Sequence, residues 1–508
     1  MGLGGRIKDM IKGWLDINEA SQQQFNIYEM FNFDTNAIRN EIWYRGDPFE
    51  LSQFYKQIND SNAYFWSSVP DIKIRKIHSG LPALIVDTLT GIVIRDLNTI
   101  EASDTEWDEI NKDNMIYDIV RKSVVETLYQ GDGAFKISFD KSVSDYPIIE
   151  FFNGSRCEFV YRRGHYYETV FKTIYVKDYD KYVLYETYGF GYIKYKLVKA
   201  RTNTEVPLNS LTETAHLVDV KFAGYNEDKD GKILSRGTVN LAVPMKFYDS
   251  AKYPNRGKSI FENKFDVFDG FDEVVSQWAD AVRAGRTTKY IPESLLPRDI
   301  NTGRILKGND FDNRYIALES SANENDKNEI KVIQPDIPVE SYIQSYITFL
   351  DLCLQGIISP STLGIDTKKL DNAEAQREKE KTTLYTRGVI IEALQKALPK
   401  VINTALKAVD CLNRRSIRDD IDIMVEFGEY ANPSFEAVVE TVAKAKQGGI
   451  MSIEASIDEL YGDTKDDEWK QKEINRLKEE QGIAEMQEPL LDDDVSAVEE
   501  ALEDDSIN

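Results

Sequence analysis

The stretch from Pro338 to about Arg414 constrains the fold more than any other. Between Val339 and Ile358, apolar residues recur at helical spacing (Tyr342, Ile343, Tyr346, Ile347, Leu350, Leu354, Ile357, Ile358). That recurrence predicts an amphipathic helix with a broad buried face. Ser359-Pro360 ends it, because Pro360 drives its predecessor out of helical dihedrals and offers no N–H. A short polar loop, Ser361 to Leu370, follows. Asp371 then caps a second helix, with Glu374 completing a capping box. This helix runs roughly 40 residues in the sequence reading, kinked rather than ended at Pro399. Two long helices and a lysine-bearing loop make a rigid device that presents one loop.

Composition limits what such a device serves. At 508 residues the chain has room for several domains, and 42% apolar with 29% charged content is ordinary for a globular protein. The net charge of −25 is not ordinary. It argues against a generic nucleic-acid binder, which needs a basic footprint, yet it suits a protein that surrounds DNA without gripping it. Cys157, Cys353 and Cys411 are widely spaced and lack a paired motif, so they read as buried small hydrophobes in a reducing compartment. No apolar run reaches the ~18–20 residues of a membrane helix. Met1 to Leu15 lacks the apolar core of a signal peptide. Arg6 stands where a myristoylation motif wants Ser or Thr.

Along the rest of the chain, Asp34 to Ser61 reads as helix, turn, helix, with Asp47-Pro48 and Glu50 starting the second. Pro82 to Thr90 and Met115 to Tyr129 read as helices, the latter closing at Gly131-Asp132-Gly133 before a strand from Ala134 to Phe139. Five Tyr-, Phe- and Val-rich segments between Ile148 and Val198 predict an antiparallel meander. Ser259 to about Gly285 turns helical. Phe271, Val274, Val275, Trp278 and Val282 form an apolar stripe there, and Asp272, Ser276 and Asp280 a polar one. Arg286 to Pro338, with strand-like Arg314 to Leu318 and Ile330 to Ile333, reads as a small α/β insertion. After Arg414 come a strand (Ile421 to Phe427), a helix (Ser434 to Lys446), and a helix capped by Ser452. Lys465 to Gln481 forms a highly charged helix expected to be solvent-exposed. Residues 433–508 supply about −15 of the charge, and the tail from Glu485, ten acidic residues and no basic one, reads as disordered.

Catalytic chemistry finds no support. Gly257-Lys258-Ser259 has the end of a phosphate-binding loop, but Lys252 occupies the position of the first glycine and Tyr253-Pro254 stiffens the cradle. His78, His165 and His216 lack metal-ligand spacing. Asp420 and Asp422 could share a strand face near Asp419, but nothing else converges on them. No catalytic residue, metal or cofactor is therefore assigned.

Several stretches carry a family resemblance. They are Glu41-Ile42-Trp43-Tyr44-Arg45-Gly46-Asp47-Pro48, Lys76 to Pro82, Tyr129 to Ile137, and Gly257 to Glu262. The most specific is Ile358-Ser359-Pro360-Ser361-Thr362-Leu363-Gly364 leading into Asn372-Ala373-Glu374-Ala375-Gln376-Arg377-Glu378-Lys379-Glu380. Gly448 to Glu454 and Glu473 to Glu480 complete the order. From about Phe31 to Gln481 the chain resembles the portal proteins of tailed bacteriophages, particularly those infecting Gram-positive hosts.

The resemblance implies an α+β portal fold with wing, stem, clip and helical crown. An N-terminal arm (1–30) would precede the wing (31–264) and a first stem helix (265–285). A clip (286–338), a second stem helix (339–358) and a tunnel loop (359–370) would follow. A long kinked helix would return to the wing (371–432), ahead of the crown (433–484) and the acidic tail (485–508). It implies a ring, typically of twelve subunits, at one capsid vertex of the virion, assembled in the host cytoplasm. Double-stranded DNA would pass through it without sequence preference. Its partners would be the terminase large subunit, the head-tail adaptor, and the major capsid and scaffolding proteins, with no membrane. By the same resemblance, Thr367, Lys368 and Lys369 would line the channel. Phe271, Val275, Trp278, Tyr346, Leu350 and Leu354 would pack the stem, and Arg298, Arg304 and Lys307 would meet clip partners. The alternatives are a DNA-packaging nuclease or ATPase, or another oligomeric virion connector.

Overall fold

The computed structural model describes residues 31–58, 66, 74–228, 233–285, 288–292, 295–300, 302–305, 314–318, 330–334, 336–365, 373–428, 435–461 and 467–480. The architecture is α+β. It divides into two compact units at 428/429, a few residues before the expected crown boundary.

The first unit opens with α1 (Phe33–Arg45), capped by the Asn32 side chain and closed by Gly46 at φ 70°. In α2 (Pro48–Ile58) the Asp47 carboxylate accepts the Phe49 N–H at 2.8 Å, a local N-cap. Helix α3 (Leu81–Arg95) outruns the expected Thr90 end because Leu81, Ile85, Leu89 and Val93 continue one buried face. Strand β1 (Leu97–Ala102) follows. Helix α4 (Thr105–Asn114) escapes sequence reading, since it buries only Trp107 and Ile110 and depends on the Asp104 cap. Helix α5 (Ile116–Gln130) then leads into β2.

The strands form two main sheets where one meander was expected. Strands β2 (Asp132–Ser138) and β3 (Ile148–Asn153) pair antiparallel, bringing the Phe135 and Phe151 rings to 5.0 Å. A 3₁₀ turn, Gly154–Arg156, then redirects the chain. Strands β4 (Cys157–Arg162), β5 (His165–Lys177), β6 (Asp180–Gly189), β7 (Tyr192–Lys199) and β8 (Thr204–Val206) form the meander, with β9 (Val220–Lys221) also on β7. Strands β10 (Asn226–Glu227) and β11 (Ile233–Ser235) make a small hairpin. Strand β12 (Ala242–Lys246) completes the first sheet in the order β12-β2-β3. The cause of the split is β2, whose side chains are buried on both faces. Such a strand needs a neighbour on each edge and a cover on each side. The two sheets meet at a buried Lys136–Glu186 ion pair of 2.8 Å and at Phe152–Phe171, 5.1 Å between rings.

Helix α6 (Phe265–Ala284) begins six residues later than expected, because Asn263 takes the left-handed region at φ 66°. Three short strands follow: β13 (Thr288–Pro292) pairs β14 (Arg314–Leu318) in parallel and β15 (Lys331–Ile333) antiparallel. Among the described residues, the expected α/β insertion is therefore a sheet without an α-helix. Helix α7 (Val339–Leu354) ends four residues early, where Gln355 turns extended and Gly356 takes φ 76°. Ile357 and Ile358 remain buried, so the apolar recurrence reported burial there rather than helix. Helix α8 (Ala373–Leu412) spans 40 residues, passes unbroken through Pro399, and buries Ile390, Leu394, Leu398, Val401 and Leu406. Strand β16 (Ile423–Phe427) returns to pair antiparallel with β1.

The second unit holds α9 (Phe435–Gln447), α10 (Ile453–Tyr461) and α11 (Asp467–Glu480). The Ser452 hydroxyl accepts the Ala455 N–H at 3.1 Å, capping α10. Helix α11 is not wholly solvent-exposed as expected: Ile474 is buried with Ile453 and Ile457. Its few apolar residues are spaced to one face, which suffices for a contact stripe.

One close approach joins the parts. Gly131, at φ 109°, lets its carbonyl lie against Gly257, where a Cβ would collide with it. The Gly257 N–H donates to the Asp132 carboxylate at 2.7 Å, and Arg256 clasps the same carboxylate through two bonds of 2.8 Å. Gly257→Ala is expected to cost about 3 kcal/mol, read as a lowered thermal unfolding midpoint with an unchanged far-ultraviolet spectrum at 20 °C.

A second prediction concerns pH. Burial pushes the Glu126 carboxyl on α5 up to about 7. The unfolded chain ionises this group near ~4.3, so its contribution is present below that pH and is lost as pH rises towards 7. Glu126→Gln removes this slope and stabilises the protein above pH 7 by on the order of 2 kcal/mol. The difference between wild-type and variant unfolding midpoints across pH 4.5–8 measures it.

Candidate functional site

Helices α6 and α7 zip together antiparallel, and aromatic rings set the register. At one end Lys264 Nζ donates to the carbonyls of Leu352 (2.7 Å) and Gln355 (2.9 Å), satisfying groups that the end of α7 leaves open. Gly270 gives Phe349 room, since a Cβ there would overlap its ring. Further along, the Phe271 ring lies 5.1 Å from that of Tyr346. Trp278 stacks on Tyr342 with planes 4° apart and meets Tyr346 edge-on. At the far end Gly285 closes on Ile337. Phe271, Leu350 and Leu354 are buried, while Val275 and Tyr346 are half-buried against the core. Val282, assigned to the apolar stripe, is instead 53% exposed.

The polar stripe of α6 holds the surprise. Asp272 and Ser276 are buried, and so is Asp269 three residues earlier. Each accepts an N–H from the chain preceding α3: Asp269 from Trp66, Asp272 Oδ1 from Ser79 at 3.0 Å, and Ser276 Oγ from Ile77 at 2.9 Å. His78 Nδ1 lies 2.5 Å from Asp272 Oδ2, with only 4% and 7% of the two side chains exposed. A carboxylate only accepts, so Nδ1 carries the proton. His78 Nε2 is buried and has no hydrogen-bond partner among the described residues, and the ring sits 5.5 Å from Trp43. These residues turn α6 into a rail to which residues 74–80 are buttoned. An i, i+3, i+7 run of Asp, Asp and Ser beside an apolar stripe was the available signal. The sequence marks Asp272 and Ser276 as polar, which leaves open whether water or a backbone N–H meets them.

The loop between α7 and α8 is held at its roots. Pro360–Leu363 forms a 3₁₀ turn within the expected polar loop. Ser359 donates its N–H to Thr383 Oγ1 at 2.9 Å, and the Thr386 hydroxyl donates to the Ile357 carbonyl at 2.6 Å. Thr367, Lys368, Lys369 and the expected Asp371 cap lie outside the described residues. In the insertion, Gly303 at φ 67° closes a turn that sets Arg298 against Ile305 and joins the Asp299 N–H to the Arg304 carbonyl. Both arginines are exposed, and Lys307 lies outside the described residues.

The other candidate groups are engaged in structure. Gly257 spends its N–H on Asp132, and the Ser259 hydroxyl donates to the Tyr129 carbonyl at 2.6 Å, so this turn holds its own chain. Asp420 pairs with Lys407 at 2.6 Å. Arg418 joins Asp104 and Glu106 of the α4 start (both 2.6 Å) to Asp410 of α8 (2.8 Å), which holds the Glu106 and Asp410 carboxyls below their ordinary range. The three cysteines are free, and burial pushes the Cys353 thiol up to about 12. Among the described residues no group of His, Cys, Asp or Glu could hold a metal ion, and no helix is long and apolar enough to cross a membrane.

No protein-family model matches this chain, and no curated protein matches it.

What the arrangement offers is mechanical. A rigid helix pair carries a sheet at one end and a rooted loop at the other, and is fastened to the rest of its unit by buried hydrogen bonds. Asp272→Ala leaves the Ser79 N–H and His78 Nδ1–H buried and unpaired, a change expected to cost about 3–5 kcal/mol. Ser276→Ala, which strands one N–H, is expected to cost about 1–2 kcal/mol. Hydrogen exchange checks this: the amides of Ile77 and Ser79 exchange faster in both variants, while those of β5 and β6 keep their protection.

Proposed function

We propose that this chain is the repeating subunit of a portal-type ring. The ring serves as the channel for double-stranded DNA at one capsid vertex and as the docking site for a packaging motor and a head-tail adaptor. The observation that carries the reading is the α6–α7 pair, with a sheet inserted at its far end and a loop at its near end. That loop is received by the 40-residue α8. The order matches the stem, clip and tunnel loop that the sequence resemblance implies.

The surface of the pair supports the reading as well. Val282, Val339, Ile343 and Leu352 remain between 43% and 53% exposed. A monomer gains nothing from such residues on two adjoining helices, whereas a ring covers them with neighbouring subunits. The charge fits the same task. A channel that passes any sequence needs weak phosphate attraction, and a chain at −25 with a few placed cations provides it. In this reading Lys368 and Lys369 touch passing phosphates, and Arg298, Arg304 and Lys307 face the motor and then the adaptor. The protein carries out no chemistry of its own.

Negative-stain electron microscopy of the purified protein is the test. Rings with a central hole are expected; monomers or two-fold dimers at micromolar concentration would sink the proposal. The double variant Lys368→Glu, Lys369→Glu is expected to form rings normally and to package or retain several-fold less DNA. Normal packaging in that variant removes the DNA-contact role from the loop.

A further inference from the structure

Strand β5 outruns its neighbour on one edge. It pairs with β6 from Glu168 to Lys177, but on the other edge β4 follows it only as far as Cys157 opposite Phe171. Among the described residues no strand continues that edge along Lys172 to Lys177. The turn into β6 fixes which groups are left open. Asp178 and Tyr179, at φ 51° and 65°, make a two-residue hairpin turn, so Lys177 and Asp180 form a hydrogen-bonded pair. Counting back in twos, Tyr175 and Thr173 also direct their N–H and C=O groups to β6. Ile174 and Val176 direct theirs to the open edge. These two residues are 65% and 67% exposed. An edge with open amides and apolar side chains is a template for another strand, and natural proteins cover such edges.

The chain that precedes α1 arrives beside this edge. Lys172 Nζ pairs with Asp34, in the first turn of α1, at 3.1 Å and lies 3.7 Å from Glu158 of β4. The Phe33 ring packs beside Gly154 of the 3₁₀ turn that leads into β4. Arg256 lies 3.5 Å over that ring and 5.1 Å from the ring of Phe159 on β4. The start of α1 therefore sits where β4 leaves the edge of β5. Residues 1–30 lie outside the described residues. In their sequence, Gln22 to Met30 contains no Gly or Pro and carries Phe25, Ile27 and Tyr28, residue types that favour strands. Phe25 and Ile27 share the spacing of two that places Ile174 and Val176 on one face. Eight extended residues span about 26 Å, against roughly 17 Å from Lys172 to Lys177, which leaves length for the step from Phe31 to the edge.

We propose that residues 23–30 add to the open edge of β5 in the same chain, as a strand antiparallel to it with Met30 nearest Lys172. The direction follows from the anchor, because the segment must leave the edge at the Lys172 end to reach Asp34. It occupies the line that β4 vacates, pairs the open groups of Ile174 and Val176, and sets Phe25 and Ile27 on one face of the added strand. The strap denies this edge to strands of other chains. It lies within one chain and does not depend on the ring reading.

Hydrogen exchange at single-amide resolution on the full-length protein tests this. The amides of Ile174 and Val176 are expected to be protected in the wild type and to exchange on the order of tenfold faster in Ile27→Pro or Tyr28→Pro. Adjacent positions point their N–H groups to opposite edges, so one of the two prolines removes a ladder hydrogen bond. Unchanged amides of Leu184 and Glu186 on β6 report that the meander itself stays folded. Free exchange at Ile174 and Val176 in the wild type overturns the added strand. Protection that survives both prolines overturns residues 23–30 as its source. Oxidising full-length protein that carries Ile174→Cys with either Phe25→Cys or Ile27→Cys identifies the donor chain. A cross-link within one chain in at least one of these pairs is the expected result. A disulfide-linked dimer as the main product overturns the same-chain placement and assigns the edge to another copy.

Discussion

Helix α6 has to satisfy two opposite demands, and much of the first unit is arranged around them. One side presents Phe271, Val275 and Trp278 to the rings of α7. Another buries Asp269, Asp272 and Ser276, which is costly unless every acceptor finds a donor. The donors come from backbone N–H groups of residues that precede α3, nearly 200 positions earlier. An apolar face alone could slide or rotate against α7. Fixed hydrogen bonds at three positions cannot, so they lock the rotation of α6 and with it the register of the aromatic pairs.

Charge follows the same logic elsewhere in the unit. The chain carries 87 acidic and 62 basic residues, yet several charges inside the unit occur in matched sets. Asp132 takes Arg256 and the Gly257 N–H; Lys136 takes Glu186 beneath the rings of Phe152, Phe171 and Tyr188; Arg418 takes three carboxylates. Such sets add little net stability over apolar packing, but each is strongly disrupted by removing one member. They make specific joints: sheet to sheet at Lys136, α5 end to the turn before α6 at Asp132, and α4 to the end of α8 at Arg418. The excess acidity is left for the surface and for residues 433–508.

How much of this was legible beforehand depended on the range of the interaction. Helices with long apolar stripes, caps at Asp47 and Ser452, and the 40-residue α8 follow from local rules, because period and capping act within a few residues. Helix α4 was missed because two buried residues make no periodicity. The end of α7 was misplaced because Ile357 and Ile358 stay buried beyond it. The division of the strands into two sheets depends on which edges β2 must cover, a decision involving β12 about 100 residues away. The anchoring residues Asp269, Asp272 and Ser276 were hidden for the same reason: their partners are distant backbone groups, and a polar side chain gives no sign of whether water or an amide will meet it.

The same distinction bears on the loop after α7. Its sequence, with Pro360, Gly364 and two lysines, could belong to any flexible surface turn. What sets it apart is the ordering of its roots, where Thr383 and Thr386 of α8 hold Ser359 and Ile357 by side-chain hydrogen bonds buried in the core. Helix α7 delivers one root from the packed pair, and α8 receives it while running on through the unit's centre. A displacement of α6 relative to residues 74–80 would therefore reach the loop through packed side chains alone. The loop is tied to the rail, and the rail to the sheet-bearing body, by contacts that break rather than stretch.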